Sequence, residues 1–484
     1  MIIRRCFFLA CCAAASLSLS AQQVDSLFIR RIFDEALVNG HSYQRLGELC
    51  KTIGHRLSGS AQAEKGVAWA LDMLRSYRFD SVYTQDVLVP VWERSETEAL
   101  WLRSKALSNQ LRNKHKPADY LCEAFEELPL KPAARYRLQA VALGGSVGTT
   151  GEVKGKIIVV NSKAELDSLG KAGRIKGAFV LFNRAFDERL INTFAAYGSC
   201  VGQRVNGASE AARFGAAAVL VRSMTNRCDL HAHTGVMIYD DSVPRIPAMA
   251  VASAIANLLE RLQQEDPDLE LAMQLGCRTL PDRPSHNVIA ATRGAVFPNR
   301  IIAFGGHFDS WDQGEGAHDD GAGCMHAFEA LRILKALNYQ PRHTLRCVFW
   351  MNEENGLRGA KVYAREAQRI GETHVAALES DRGGFTPRGF GVDTLIRKKL
   401  LPYSYLLEPY GIATLEPGGG GADIGPLKSV DSSVALLSFL PDPQRYFDVH
   451  HAETDVFENV NRRELELGAA SVAVMVVLLD QLLD

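Results

Sequence analysis

Runs of basic residues, late apolar runs long enough to span a bilayer, Cys-x-x-Cys pairs and internal repeats are all missing from this chain. The formal charge is −2 with no basic tract, so nucleic acid is not an expected partner. The apolar run Leu467 to Leu479 falls short of the about 20 residues a membrane span requires, so it predicts a buried helix and no membrane span. Without Cys-x-x-Cys, neither a zinc ribbon nor a thioredoxin-type site is expected. Of the 10 cysteines, Cys6, Cys11 and Cys12 lie in the N-terminal segment. The others are Cys50, Cys122, Cys200, Cys228, Cys277, Cys324 and Cys347. An odd set cannot all pair within one chain, and Cys347 sits inside an apolar run as a small hydrophobe, so a disulfide-built fold is not expected. No period of 20 to 50 residues recurs, which argues against a solenoid. Gly418 to Gly421 has no Lys-Ser/Thr after it and reads as a loop lining a cleft, with Asp423 as a helix cap.

What is present is a globular composition, 47% apolar and 23% charged, over 484 residues, which favours two domains. Arg4 and Arg5 precede the apolar stretch Cys6 to Ala15, followed by small residues to Ala21. This predicts a signal peptide, residues 1–21, cleaved for secretion or export to a periplasm, in preference to lipid attachment at Cys11 or Cys12. Helices are expected over 24–39, 41–52 and from an N-cap at Ser60 to about Arg78, then a strand over 81–91. Residues 103–130 are polar and aperiodic, a linker or surface excursion. Short apolar strands at 151–160, 177–182, 216–221 and 244–251 make up a smaller unit within residues 131–275. From Ser285 strands and helices alternate: strands over 286–291, 300–304, 345–351, 375–378 and 433–437, helices over 320–337, 360–370, 400–410 and 463–483. That alternation predicts an α/β fold with a doubly wound, mostly parallel sheet, formed by residues 22–130 and 276–484 around the insert.

In such a sheet ligands gather beyond the carboxyl ends of the strands. His307, the pair Glu353-Glu354 and Asp381 each follow an apolar run, and Asp319-Asp320 precedes a helix on the same rim. A His450-His451 pair completes the set. Histidines and carboxylates without thiolates point to a hydrolytic zinc site. A carboxylate bridging two zinc ions clamps and activates one water, and an uncoordinated carboxylate serves as general base. Adjacent residues at a strand end point different ways, so Glu353 and Glu354 suit two different tasks. Asp309 is placed to orient His307 by accepting its second imidazole N–H. His231-Ala-His233 has few partners nearby and reads as loop structure, and Ser58 and Ser60 as structural residues of a turn.

The run Gly305-Gly-His-Phe-Asp-Ser-Trp-Asp-Gln-Gly-Glu-Gly-Ala-His-Asp-Asp-Gly-Ala-Gly323 resembles the two-zinc exopeptidases related to bacterial leucyl aminopeptidase. Glu353-Glu354-x-Gly356, Glu379-Ser-Asp381, His450-His451-x-x-x-Asp455 and, in the insert, His233-Thr-Gly235 are similar to the same family. The resemblance implies a zinc exopeptidase fold with a protease-associated-like insert, two Zn2+ ions, a short peptide substrate and a homodimer. It implies Asp319 as the bridge, His307 and Asp381 on one zinc, Glu354 and His451 on the other, and Glu353 as the base. His451 is chosen over His450 by its spacing to Asp455. Arg382 departs from the pattern, which implies a small residue after Asp381. Carboxypeptidase or dipeptidase action, broad aminopeptidase action, a one-zinc glutaminyl cyclase and a catalytically silent binding protein all remain open here.

Overall fold

The computed structural model describes residues 25–112 and 134–483. The signal-peptide segment, Cys122 and most of the expected linker lie outside the described residues.

Eight strands form the main sheet: β1 (Ser81–Glu93), β2 (Arg278–Thr292), β3 (Phe297–His307), β4 (His343–Trp350), β5 (Thr373–Glu379), β6 (Pro387–Val392), β7 (Thr414–Pro417) and β8 (Ala435–Pro441). Their order is β1-β2-β4-β3-β5-β8-β6-β7. The central strands β4, β3, β5 and β8 are parallel, while β1, β2 and β6 join antiparallel. Each central strand is buried on both faces, which explains its near-continuous apolar sequence. Along β3 the side chains alternate: Ile302 and Phe304 face one core, Ile301 and Ala303 the other. The first core holds helices Ala322–Ala336 and Arg462–Leu482; the second holds Arg358–Ile370 and Gly425–Val430. Helices on both faces make the sheet doubly wound, as expected.

The closing helix Arg462–Leu482 reaches a mean hydropathy of 1.7, yet 83% of that window is buried inside the protein. It is a core helix, packed on Ala322–Ala336 and on the N-terminal helix Ser26–Asn39. One expected helix, 400–410, differs. The α-helix is Thr394–Leu400, capped by Asp393, and continues only as the 3₁₀ turns Leu401–Leu406 and Glu408–Tyr410. Pro402 and Pro409 lack the N–H that an α-helical continuation needs.

A second unit carries a sheet of five strands in the order Ala140–Ala142, Ala248–Val251, Ala218–Arg222, Phe179–Phe182, Ile157–Val160, parallel except at the first pair. A four-stranded antiparallel sheet adjoins it, and there Glu98–Arg103, from before residue 131, pairs with Tyr136–Leu138 and Glu270–Leu275. Cys50, Cys200, Cys277, Cys324 and Cys347 are free thiols.

Candidate metal centre

Strands β3 and β4 pair His307 with Trp350, and β3 pairs Gly305 with Glu379 of β5. The carboxyl ends of three parallel strands are therefore level, and the residues at or just beyond them share one rim. His307 ends β3, Glu353 and Glu354 follow β4, and Asp381 follows β5. The loop from β3 to helix Ala322–Ala336 brings Asp319 over that rim, and the segment after β8 brings His450 and His451. A Cβ at Gly323 would run into the Ser380 carbonyl, so glycine there lets the helix start lie against the Asp381 turn.

The two carboxylate oxygens of Asp319 face different histidines. Oδ1 lies 3.1 Å from His307 Nε2, which is also 3.6 Å from Asp381 Oδ1. Oδ2 lies 3.2 Å from His451 Nε2, which is 3.0 Å from Glu354 Oε2. His450 Nε2 reaches the same Oδ2 at 3.6 Å, and its ring stacks on that of His451 at 3.6 Å. His451 thus meets two carboxylates where His450 meets one. Asp320 also lies close, with a carboxylate oxygen within 4.8 Å of ligand atoms of His307 and Asp381, but both its oxygens are engaged, accepting the N–H groups of His307 and Gly323 at 3.1 and 2.9 Å. Asp455 holds the bridge position, accepting from the N–H of His318 at 2.7 Å and of Asp319 at 3.1 Å. His307, Asp319, Glu354, Asp381, His450 and His451 line a cavity of about 470 Å³, walled on another side by Phe194, Tyr197 and Arg204.

The sequence profile of Peptidase family M28 matches residues 287–474. Carboxypeptidase Q of Homo sapiens is 31% identical over 437 residues, 90% of this chain and 84% of that protein. The Xenopus laevis carboxypeptidase Q is 33% identical, covering 86% and 80%. This chain belongs to peptidase family M28. The crystal structure of a Peptidase M28 precursor from Shewanella amazonensis SB2B superposes with a TM-score of 0.81 at 29% identity, covering 93% of this chain and 95% of that one. A zinc aminopeptidase from Bacillus subtilis shares the fold at 17% identity, with a TM-score of 0.60 over 90% and 93%.

The donor set of this M28 chain fits divalent cations. His307 Nδ1 lies 2.9 Å from the Asp309 carbonyl, and His451 Nδ1 3.2 Å from the Thr234 carbonyl. A carbonyl only accepts, so in a neutral His307 ring the proton sits on Nδ1 and a lone pair on Nε2, whereas His451 Nδ1 has both the Thr234 carbonyl and, at 3.4 Å, the donor Arg204 Nη1 beside it. His307 Nε2 faces oxygens of Asp319 and Asp381, and His451 Nε2 faces those of Asp319 and Glu354, a set of nitrogen and carboxylate donors that suits a cation between them. Asp319 Oδ2, Glu354 Oε1 and Asp381 Oδ1 are buried without a hydrogen-bond partner, which marks the same need.

Glu353 stands apart from these pairs. It lines the cavity, and burial together with the Asp381 and Glu354 charges holds its carboxyl well above the usual carboxylate range.

Two details differ from the expectation. Asp309 orients His307 through its main-chain carbonyl, its carboxylate oxygen lying 3.9 Å from Nδ1. The carboxylate is drawn instead to the N–H groups of Asn352 and Glu353 at 2.6 and 2.9 Å, so it braces the loop carrying Glu353. Asp423 caps no helix. Helix Gly425–Val430 begins after Ile424 with no side-chain cap, and the buried Asp423 carboxylate has no hydrogen-bond partner.

Other contributors escaped the sequence reading. His233 Nδ1 donates to the His450 carbonyl at 2.7 Å, and the Thr234 N–H donates to the His451 carbonyl at 3.0 Å. The His233-Thr-Gly resemblance was the available signal. Arg56, buried in the N-terminal turn, donates to the carbonyls of Phe308, Glu315 and Gly316 at 2.7, 2.7 and 2.9 Å and so ties down the loop leading to Asp319. Ser58 donates to Asn355 and accepts from Asn352, while Ser60 caps helix Ala61–Ser76, so both are structural.

Proposed function

We propose that this protein is a zinc-dependent exopeptidase acting on short peptides, with His307 and Asp381 holding one zinc ion, Glu354 and His451 a second, and Asp319 bridging them. The observation that carries the reading is the double use of Asp319, whose oxygens lie 3.1 Å from His307 Nε2 and 3.2 Å from His451 Nε2. Zinc held there supplies Lewis acidity at the scissile carbonyl and lowers the pKa of water toward about 7. Glu353 is the general base. With a raised pKa and no hydrogen bond on its carboxylate among the described residues, it takes the proton of the attacking water and returns it to the departing amine. Asp309 fixes the backbone of that base. The Nδ1–H bond to the Asp309 carbonyl holds His307 in the tautomer that ligation requires, and the Thr234 contact positions the His451 ring.

Exopeptidase action is supported by the insert wall of Phe194, Tyr197 and Arg204, which encloses one side of the cavity. The named activities of the relatives and fold neighbour, carboxypeptidase and aminopeptidase, support the same reaction class. The residues Arg4 to Ala21 support export, with the mature chain starting at Gln22, which N-terminal sequencing of the exported protein tests.

Metal analysis and a dipeptide library test the reading together. Wild type should bind two zinc ions per chain and hydrolyse dipeptides. Glu353→Gln should keep the zinc and lose roughly 10²–10⁴-fold in kcat. One zinc per chain removes the bridge from Asp319, and undiminished turnover in the variant removes Glu353 as the base.

A further inference from the structure

Two cationic side chains, Arg204 and Arg382, reach the cleft among the described residues that line it and its side recess. Arg204 is committed to the insert: it donates to Tyr197 Oη at 2.7 Å and to the Val236 carbonyl at 3.3 Å. Arg382 has no such commitment. It follows Asp381 directly, is half-buried, and rests its guanidinium 4.4 Å from the centre of the Phe194 ring. Among the described residues it makes no hydrogen bond and no ion pair. Of the carboxylates near it, Glu379 is occupied elsewhere, while Asp381 Oδ1 has no hydrogen-bond partner among the described residues. Asp381 faces His307, and Glu379 accepts the N–H groups of Ala422, Asp423 and Ile424 at 2.9, 2.8 and 2.9 Å.

The recess that Arg382 lines measures about 220 Å³ and includes Gly420, Gly421 and Ser438. It shares Phe194 and Asp381 with the main cavity, so it lies beside the candidate metal centre. A Cβ at Gly420 would meet nothing within 4 Å, so the recess has room beside bare backbone. A planar fork of N–H donors, pre-oriented by an aromatic face and lacking an acceptor, matches a carboxylate bidentately. Consecutive Cα atoms are about 3.8 Å apart. A group held by Arg382 therefore lies within a residue or two of a bond cleaved beside Asp381.

We propose that Arg382 is a specificity-determining residue that binds a carboxylate of the substrate in the recess beside the metal centre, either the free C-terminus of a short peptide or an acidic side chain next to the scissile bond. This deepens the exopeptidase reading and rests on it. Phe194, contributed by the insert, sets the orientation of the guanidinium and makes the recess a joint product of both units.

The test compares wild type, Arg382→Ala and Arg382→Lys, each zinc-loaded, on alanyl-leucine, alanyl-leucinamide, and the amides of alanyl-glutamate and glutamyl-leucine. Loss of charge-assisted hydrogen bonds in a partly buried site predicts a fall of roughly 10- to 100-fold in kcat/KM for the carboxylate-bearing peptide. Alanyl-leucinamide, which carries no carboxylate, should change less than about threefold, and Arg382→Lys should recover part of the loss because it keeps the charge without the fork. A loss on alanyl-leucine assigns the C-terminal carboxylate; a loss on the glutamate-containing amides assigns the side chain. Equal losses on peptides with and without a carboxylate, or no loss on any, overturn the proposal. If wild type cleaves none of them, the exopeptidase reading falls by itself. Calorimetric affinities of alanyl-leucine, the two glutamate amides and alanyl-leucinamide for wild type and Arg382→Ala then decide the role of Arg382. Affinity that ignores both the carboxylate and the substitution overturns it.

Discussion

His233→Ala separates a ligand-positioning insert from a mere lid. His233 is buried, and its Nδ1–H meets the His450 carbonyl at 2.7 Å while its Nε2 has no partner. Truncation leaves that carbonyl with one of two fates. It stays in place unsatisfied, at a cost of about 1–3 kcal/mol. Otherwise the His450-His451 segment shifts, and His451 Nε2 leaves its positions 3.0 Å from Glu354 and 3.2 Å from Asp319. Loss of a group that supports a ligand in this way weakens metal binding by roughly 10–100-fold, or about 1.4–2.8 kcal/mol. The two figures overlap, so the segment has no cheap refuge. A chelator competition titration should show one zinc released about 10–100-fold more readily, with the His307–Asp381 zinc held nearly as in wild type. His231→Ala is the control: its Glu453 partner sits at 2.7 Å, but both side chains are well exposed, so zinc affinity should not move. Wild-type affinity at both sites in a folded His233→Ala protein refutes the reasoning, as does equal weakening of both.

Asp319→Ala removes the carboxylate that both histidines face, so it should release both zinc ions, where Asp381→Ala should spare the His451 side; metal content after dialysis against a weak chelator distinguishes them. His374, well away from the metal centre, predicts part of the acid sensitivity. Burial, with Arg346 adding to it, lowers its pKa from 6.5 to about 4, so between those values the unfolded chain binds a proton that the folded one refuses. Stability therefore falls as pH drops through that window, by about 2 kcal/mol between pH 7 and pH 5 for this group alone. Urea midpoints at the two pH values should lie closer together in His374→Gln than in wild type; an unchanged gap sinks the assignment.

How much of this centre the sequence reveals depends on how local its causes are. His307, Glu354 and Asp381 each end or follow a buried strand, and strand ends are legible because alternation and apolar runs are. Asp319 lies in a loop without periodicity; its place before a helix on the same rim nominates the Asp319-Asp320 pair, and only the resemblance of the Gly305–Gly323 run chooses Asp319 from it. His450 and His451 are neighbours of one residue type, and what separates them is which ring meets Glu354 as well as Asp319. Asp309 was given the right neighbour and the wrong atom. The turn after β3 aims its carbonyl at His307 and its carboxylate at the Glu353 loop, and no sequence spacing encodes that choice. His233 and Thr234 act on residues 217 positions away. A clamp of that span leaves no periodic trace.

In the proposed reading the insert is part of the metal centre in a stronger sense than as a cover. A lid needs only to touch the cavity. Here the insert also exchanges backbone and imidazole hydrogen bonds with the segment bearing His451, and Thr234 both donates to that residue's carbonyl and accepts from its ring. These bonds hold the position of His451. The α/β unit alone contributes His307, Asp319, Glu354 and Asp381, but nothing on its own strands orients the last histidine. Zinc affinity on the His451 side and the shape of the substrate recess at Phe194 then depend on the same contact between units. Sequence changes at that contact should alter metal retention and substrate choice together.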